Sequence, residues 1–191
     1  MRWLLCDYGE VLCRAQPEHF VAAMAEALGM SVWGFSASYW EHRPPYDRGD
    51  VTAAEYWKRV SGRPVPRGSL QELVGLDVSS WLLPEPEALD ATARAAERGM
   101  ALALFSNAPI EVADAIDRLP WLAPFSPRMF SCRLRTVKPE SGAYRAALEA
   151  MEALPEDVHF IDDREANVSA ASGAGINAIL YRDPTQIDAI P

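Results

Sequence analysis

Four short apolar runs set the terms on which this chain can fold: Trp3 to Cys6, Ala101 to Phe105, Val158 to Ile161 and Ile176 to Tyr181. Each has the length of a strand, and each is followed by polar or turn residues. Helical patterns lie between them. Glu85 to Arg98 is rich in Ala, Leu and Glu and stops at Gly99, a helix-ending signal. Ile110 to Arg118 follows Pro109, which suits a first helical position. Ser141 to Leu154 and Glu165 to Ser172 are helical by composition, the second ending near Gly173 and Gly175. Strands that alternate with helices imply a parallel sheet covered on both faces. The expected fold class is α/β, with a Rossmann-like parallel sheet as the core.

One region breaks the alternation. From Arg14 to Trp81 no buried strand is evident, and helical patterns run over Pro17 to Leu28, Ser31 to Glu41 and Thr52 to Val60. Thr52 followed by Glu55 reads as a capping box. The stretch from His42 to Asp50, with Pro44 and Pro45, reads as a loop, and Gly62 to Gly68 as a further break. Residues 1–13 and 82–191 are therefore expected to form the core. Residues 14–81 are expected to form a small helical cap inserted after the first strand.

Composition narrows the partners. Net charge is −9 with Lys and Arg scattered, so the basic stripe of a nucleic-acid surface is missing. No run is long and apolar enough to span a bilayer, and the apolar N-terminal stretch is too short for a signal peptide. Cys6, Cys13 and Cys132 are odd in number and unpaired in spacing, which fits neither a disulfide framework nor a zinc site and points to a reduced cytoplasm. His19, His42 and His159 lack metal-ligand spacing. A monomer or homodimer acting on a small molecule is the expectation.

In open parallel sheets, ligands bind beyond the carboxyl ends of the strands. Asp7 follows the first run, Ser106 and Asn107 the second, and Asp162 and Asp163 close the third; Lys138-Pro139 stands just before a helical segment. Three carboxylates at one sheet edge repel one another unless a cation lies between them, and oxygen donors point to Mg²⁺. A carboxylate can attack phosphorus, while a hydroxyl, helix N-terminal amides and an ammonium hold phosphoryl oxygens. The set suggests phosphoryl transfer from a small phosphorylated metabolite.

On these residues the chain resembles the haloacid dehalogenase (HAD) superfamily, in the branch with a small helical cap. Asp7 matches its nucleophile, Ser106-Asn107 its second motif, Lys138-Pro139 with Tyr144 its third, and Phe160-Ile161-Asp162-Asp163 with Asn167 its fourth. The resemblance implies a Mg²⁺-dependent phosphatase working through an aspartyl-phosphate. Asp7, the Gly9 carbonyl, Asp162 and Asp163 would hold metal. Ser106, Asn107 and Lys138 would bind phosphate, with Asn167 in support. His42 and Arg43 of the cap would meet substrate. Gly9, the Tyr46, Gly49 and Glu55 pattern, and Tyr181-Arg182-Asp183-Pro184 are similar to sugar-phosphate phosphatases of the α-D-glucose-1-phosphate phosphatase kind.

The chain departs from the family at position 9. Most phosphatases of this family carry there a second aspartate that moves the proton; Gly9 has no side chain. Glu10, water or a cap residue such as His42 would take over, or the leaving group, such as an anomeric hydroxyl, would need little help. Two alternatives follow from the same departure. One is a 2-haloacid dehalogenase-type hydrolase, which needs no metal and would leave the Asp162-Asp163 pair without a task. The other is a non-catalytic phosphate-binding module.

Overall fold

A computed structural model describes residues Met1–Pro191. The elements run β1 (Trp3–Cys6), α1 (Glu18–Leu28), α2 (Val32–Asp47), α3 (Ala53–Ser61), α4 (Arg67–Ser80), α5 (Pro86–Glu97), β2 (Ala101–Ser106), α6 (Ile110–Ile116), β3 (Arg128–Phe130), α7 (Ser131–Leu134), α8 (Ser141–Met151), β4 (Val158–Asp162), α9 (Glu165–Gly173), β5 (Asn177–Leu180) and α10 (Thr185–Asp188). All strand pairings are parallel, in the order β3-β2-β1-β4-β5. The architecture is the α/β sheet that the apolar runs require.

Strand β1 lies at the centre, and alternation along it feeds two cores. Leu4 and Cys6 face one side and pack with Leu102, Leu104 and Ile161 against α5 and α6. Leu5 faces the other and packs with Ala103, Phe105 and Phe160 against α8 and α9. A third apolar cluster is internal to α1–α4; Phe35, Tyr39, Tyr56, Trp57 and Leu73 are its buried members. Most of the aromatic residues between Trp33 and Trp57 thus build this cluster, with Trp33 and Trp40 left exposed. No single helix is long and apolar enough to cross a membrane.

Three local expectations need correction. The segment His42 to Asp47 is helical: α2 continues through Pro44 and Pro45 and ends only at Asp47. Each proline removes a helix N–H. Tertiary contacts offset the loss: Arg43 pairs with Asp47 one turn on, at 2.7 Å, and the Tyr46 ring stacks on Tyr56 at 4.3 Å. Helix α4 was hidden by Gly68, Gly75 and a run of serines; buried Leu73 and Asp77 hold it in place. Strand β3 is three residues long and starts on an arginine, so it carries no apolar-run signal.

Beyond α2, Gly49 takes φ +78°, a left-handed turn that only glycine adopts freely. Here the insert is fastened to the sheet domain. Tyr46 Oη donates to Glu111 at 2.9 Å, Ser131 Oγ donates to the Asp47 carbonyl at 2.6 Å, and Arg135 pairs with Asp50 at 3.0 Å. A Cβ at Gly49 would sit 3.2 Å from the Cys132 carbonyl. Gly49→Ala should cost about 1–3 kcal/mol, read as a lower melting temperature. Gly75→Ala, in open space on an exposed face of α4, should instead gain about 0.5–1 kcal/mol. Equal effects at the two sites would contradict this reading.

Candidate active site

Register explains why the polar residues meet. Cys6 pairs with Leu104 on one side and with Ile161 on the other, so the next residue, Asp7, lies beside Phe105 and Asp162. The Asp7 amide extends the ladder by donating to the Ile161 carbonyl at 2.9 Å. Ser106 is the last residue of β2 and Asp162 the last of β4. Three adjacent parallel strands therefore end on one edge. A cavity of about 330 Å³ opens there, with Asp7, Gly9, Ser106 and Lys138 on the sheet side and Trp40, Arg43 and Asp47 on the insert side.

Lys138 is the link between the strand ends. Its ammonium is buried, forms an ion pair with Asp7 Oδ1 at 2.7 Å, and donates to Asp162 Oδ2 at 2.7 Å and the Phe105 carbonyl at 2.9 Å. Burial works to lower its pKa, but Asp162 and Asp7 outweigh burial and raise it. Asn107 fixes the backbone here: its amide donates to the Lys138 carbonyl and accepts from the Lys138 N–H, both at 2.9 Å. One side-chain donor and the side-chain oxygen are thus engaged in placing Lys138. Tyr144 Oη steadies the next layer by donating to the Asn167 carbonyl at 2.8 Å.

The two adjacent aspartates differ. Asp162 is fully buried. Its Oδ1 accepts from the Arg164 N–H and from Asn167, and its Oδ2 from Lys138 and again Asn167, at 2.7–3.0 Å. Those bonds occupy the lone-pair positions of both oxygens. Asp163 lines the cavity, half-buried, and makes no ion pair with the protein. Ligand atoms of Asp7, Asp162 and Asp163 lie within 4.8 Å of one another. Distance admits all three as metal ligands, but hydrogen bonding leaves Asp7 and Asp163 as the available pair.

The electrostatics carry the cost of this crowding. Burial pushes the Asp7 carboxyl up to about 7; Lys138 opposes the rise, and Asp162 and Asp163 add to it. Asp163 is raised by burial, then by Asp162 and Glu10. Cys6, behind Asp7, is buried and its thiol is pushed up by burial and by Asp7, so it stays protonated and inert.

Gly9 and Glu10 complete the loop after β1. A Cβ at Gly9 would lie 3.2 Å from Trp81 Cζ3, and Tyr8 Oη holds the same tryptophan by donating to its carbonyl at 2.6 Å. The Trp81 ring takes up the space above position 9. Glu10 is exposed at the rim of the cavity. His42 is not brought to the cavity. Arg43 is, but its Nε is held by Asp47 at 2.7 Å and its Nη1 by Asp77 at 3.0 Å and by Tyr39. Asp47, Trp81 and Trp40 line the cavity without having been singled out from sequence. A signal for Asp47 existed, the four-residue spacing from Arg43, but it has meaning only on a helix.

Asp7 holds a proton in the folded chain up to about pH 7, against about 3.9 when unfolded. Stability from this group is therefore full below about pH 4 and is lost as pH rises through 7. Asp7→Asn removes that loss. In chelator, the melting temperature of Asp7→Asn relative to wild type should rise between pH 5 and pH 8, by about 2–4 °C per kcal/mol relieved. A difference that stays flat or falls would contradict the electrostatic reading.

The comparisons with known proteins agree with this fold. The rat bifunctional epoxide hydrolase 2 is 26% identical over 131 residues, 65% of this chain and 24% of that protein, so the chain spans about a quarter of that relative's length. A HAD family enzyme from Bacteroides thetaiotaomicron superimposes with a TM-score of 0.78 at 19% identity, over 96% of this chain and 94% of that one. That enzyme has also been crystallised with magnesium and inorganic phosphate. The L-2-haloacid dehalogenase of Xanthobacter autotrophicus, solved with chloropropionic acid covalently bound, superimposes with a TM-score of 0.72 at 16% identity, over 93% of this chain and 76% of that one. Residues 2–175 match the haloacid dehalogenase-like hydrolase family, and the chain belongs to it.

Proposed function

We propose that this hydrolase is a Mg²⁺-dependent phosphatase of small phosphate monoesters, with Asp7 as nucleophile and α1–α4 as its cap. The observation that carries the reading is the charge around Asp7. One ammonium is set among three carboxylates, so two negative charges are left over when all are ionised; Asp163 makes no ion pair, and only the field of Arg164 reaches it. One divalent ion would balance them. Asp7, Asp163 and the Gly9 carbonyl are hard oxygen donors that suit Mg²⁺, with Asp162 acting through Lys138 and Asn167. A bound Mg²⁺ would offset charge on the phosphoryl oxygens and on Asp7.

The chain's own residues would do the rest. Asp7 attacks phosphorus and forms an aspartyl-phosphate, which water then hydrolyses. Ser106 Oγ, the Asn107 backbone N–H at the start of the β2–α6 loop, and the Lys138 ammonium hold the phosphoryl group. Trp40 and Trp81 form an aromatic wall, 6.2 Å between centroids, against which a sugar ring would pack. A sugar phosphate is accordingly the substrate class we favour. The dehalogenase alternative is the poorer fit, because a metal-free site would leave Asp163 uncompensated beside Asp162.

The test is phosphate release from p-nitrophenyl phosphate and a panel of sugar phosphates, with Mg²⁺ and with chelator. Release should require Mg²⁺ and fall at least about 10³-fold in Asp7→Asn, as expected when a covalent nucleophile is lost. No release from any substrate, or halide release from 2-haloacids without metal, would overturn the proposal.

A further inference from the structure

A phosphatase without a side chain at position 9 has to move its protons from elsewhere in the cavity. The space next to Gly9 is closed by Trp81, 3.2 Å from where a Cβ would stand. Outside the Asp7, Asp162 and Asp163 cluster, two carboxyl groups line the cavity: Glu10 and Asp47. Glu10 is exposed at the rim, on the same loop as Gly9 and in the field of Asp163. Asp47 is buried, at the last turn of α2, and reaches the cavity from the insert.

The surroundings of Asp47 fix one of its oxygens and leave the other free. Oδ1 accepts from Arg43 Nε at 2.7 Å. Oδ2 has no hydrogen-bond partner in the protein and is not sealed from solvent, and Asp47 lines the cavity. Its backbone is tied to the phosphate-side loop: Ser131 Oγ donates to the Asp47 carbonyl at 2.6 Å and accepts from the Ala108 N–H at 2.9 Å. Ala108 stands two residues after Ser106. One hydroxyl therefore couples the position of Asp47 to the loop that would bind phosphate. The charged and titratable groups facing it are Arg43 on its own helix, Asp77 on α4, Arg164 before α9 and Cys132 on α7. Burial pushes the carboxyl up to about 6, against the pull of Arg43, which lies in the range useful to a group that gives and takes protons near neutrality.

We propose that Asp47, supplied by the helical insert, is the acid and base that position 9 does not provide; the assignment rests on the phosphatase reading. In the first step the bond between phosphorus and the leaving oxygen breaks as Asp7 Oδ bonds to phosphorus, and the Asp47 proton passes to the leaving oxygen to give the alcohol. In the second, a water oxygen bonds to phosphorus, the Asp7–phosphorus bond breaks, and the water proton returns to Asp47. Arg43 is its positioning residue, holding Oδ1 so that Oδ2 faces substrate.

The experiment compares leaving groups in the full-length protein with Mg²⁺. Asp47→Asn keeps an oxygen for Arg43 but cannot carry the proton. With the best alkyl or sugar phosphate its turnover should fall about 10²–10⁴-fold. With p-nitrophenyl phosphate, whose leaving group needs no proton, nitrophenol should appear in a burst of one equivalent per site, followed by slow turnover, and phosphoenzyme should accumulate. Asp47→Glu should recover part of the loss, and serves also if Asp47→Asn does not fold. Equal losses with both leaving groups and no accumulated phosphoenzyme, or no loss, would overturn the assignment of Asp47 while leaving the phosphatase reading intact. So would transfer of the leaving-group pattern to Glu10→Gln. Wild type that releases no phosphate would overturn both.

Discussion

The Lys138 ammonium ties together the ends of three strands. It forms an ion pair with Asp7 after β1 and donates to Asp162 at the end of β4 and to the Phe105 carbonyl in β2. In a dry edge of the sheet each of these groups alone would carry a heavy desolvation cost. Together they are mutually compensated, and the geometry of the site follows from that compensation. Asn107 holds the Lys138 backbone, and Asn167 and the Arg164 N–H saturate Asp162. What is left unsatisfied is the pair that faces the cavity, Asp7 and Asp163. The fold thus builds an excess of negative charge at one point and keeps it partly desolvated, a condition that disfavours the free chain and favours binding of a small hard cation.

The insert answers this with its own buried charge. Arg43 lies between Asp47 and Asp77, under the Tyr39 ring at 4.9 Å from its centroid. This network joins α2 to α4, sets the end of α2, and delivers Asp47 and Trp40 to the cavity. The bonds from Tyr46, Ser131 and Arg135 fasten the same end of α2 to the sheet domain. The residues that would choose a substrate and those that would react with it are therefore related by short, specific contacts across the junction of insert and core.

Much of this was legible in sequence because the governing signal is local. A fully buried parallel strand reads as an apolar run, and its last residue points at the site; Asp7, Ser106 and Asp162 were found that way. Lys138 was found by its place just before a helical segment, and the role of Asn167 through the family resemblance. What escaped depends on distant partners. Strand β3 exists because Leu104, Phe105 and Ser106 pair with Arg128, Met129 and Phe130. Helix α2 crosses Pro44-Pro45 because Asp77, thirty-four residues beyond Arg43, anchors it. Once His42 to Asp50 is read as a loop, the four-residue relation of Arg43 to Asp47 loses its meaning, and Asp47 is not seen. The difference between Asp162 and Asp163 is likewise invisible in sequence, since it lies in which lone pairs are already taken.

The most direct measure of the central claim, that Asp7 and Asp163 form an unbalanced pair awaiting a divalent cation, is thermal unfolding across a Mg²⁺ titration for wild type and Asp163→Asn. A ligand bound only by the folded state raises stability with its concentration, by about 2.7 kcal/mol at a hundred times its dissociation constant. Wild type should melt progressively higher as Mg²⁺ is added, while Asp163→Asn should respond little. An unchanged wild-type melting temperature up to tens of times the Mg²⁺ level that saturates an ordinary carboxylate site, or an equal rise in both proteins, would contradict the account.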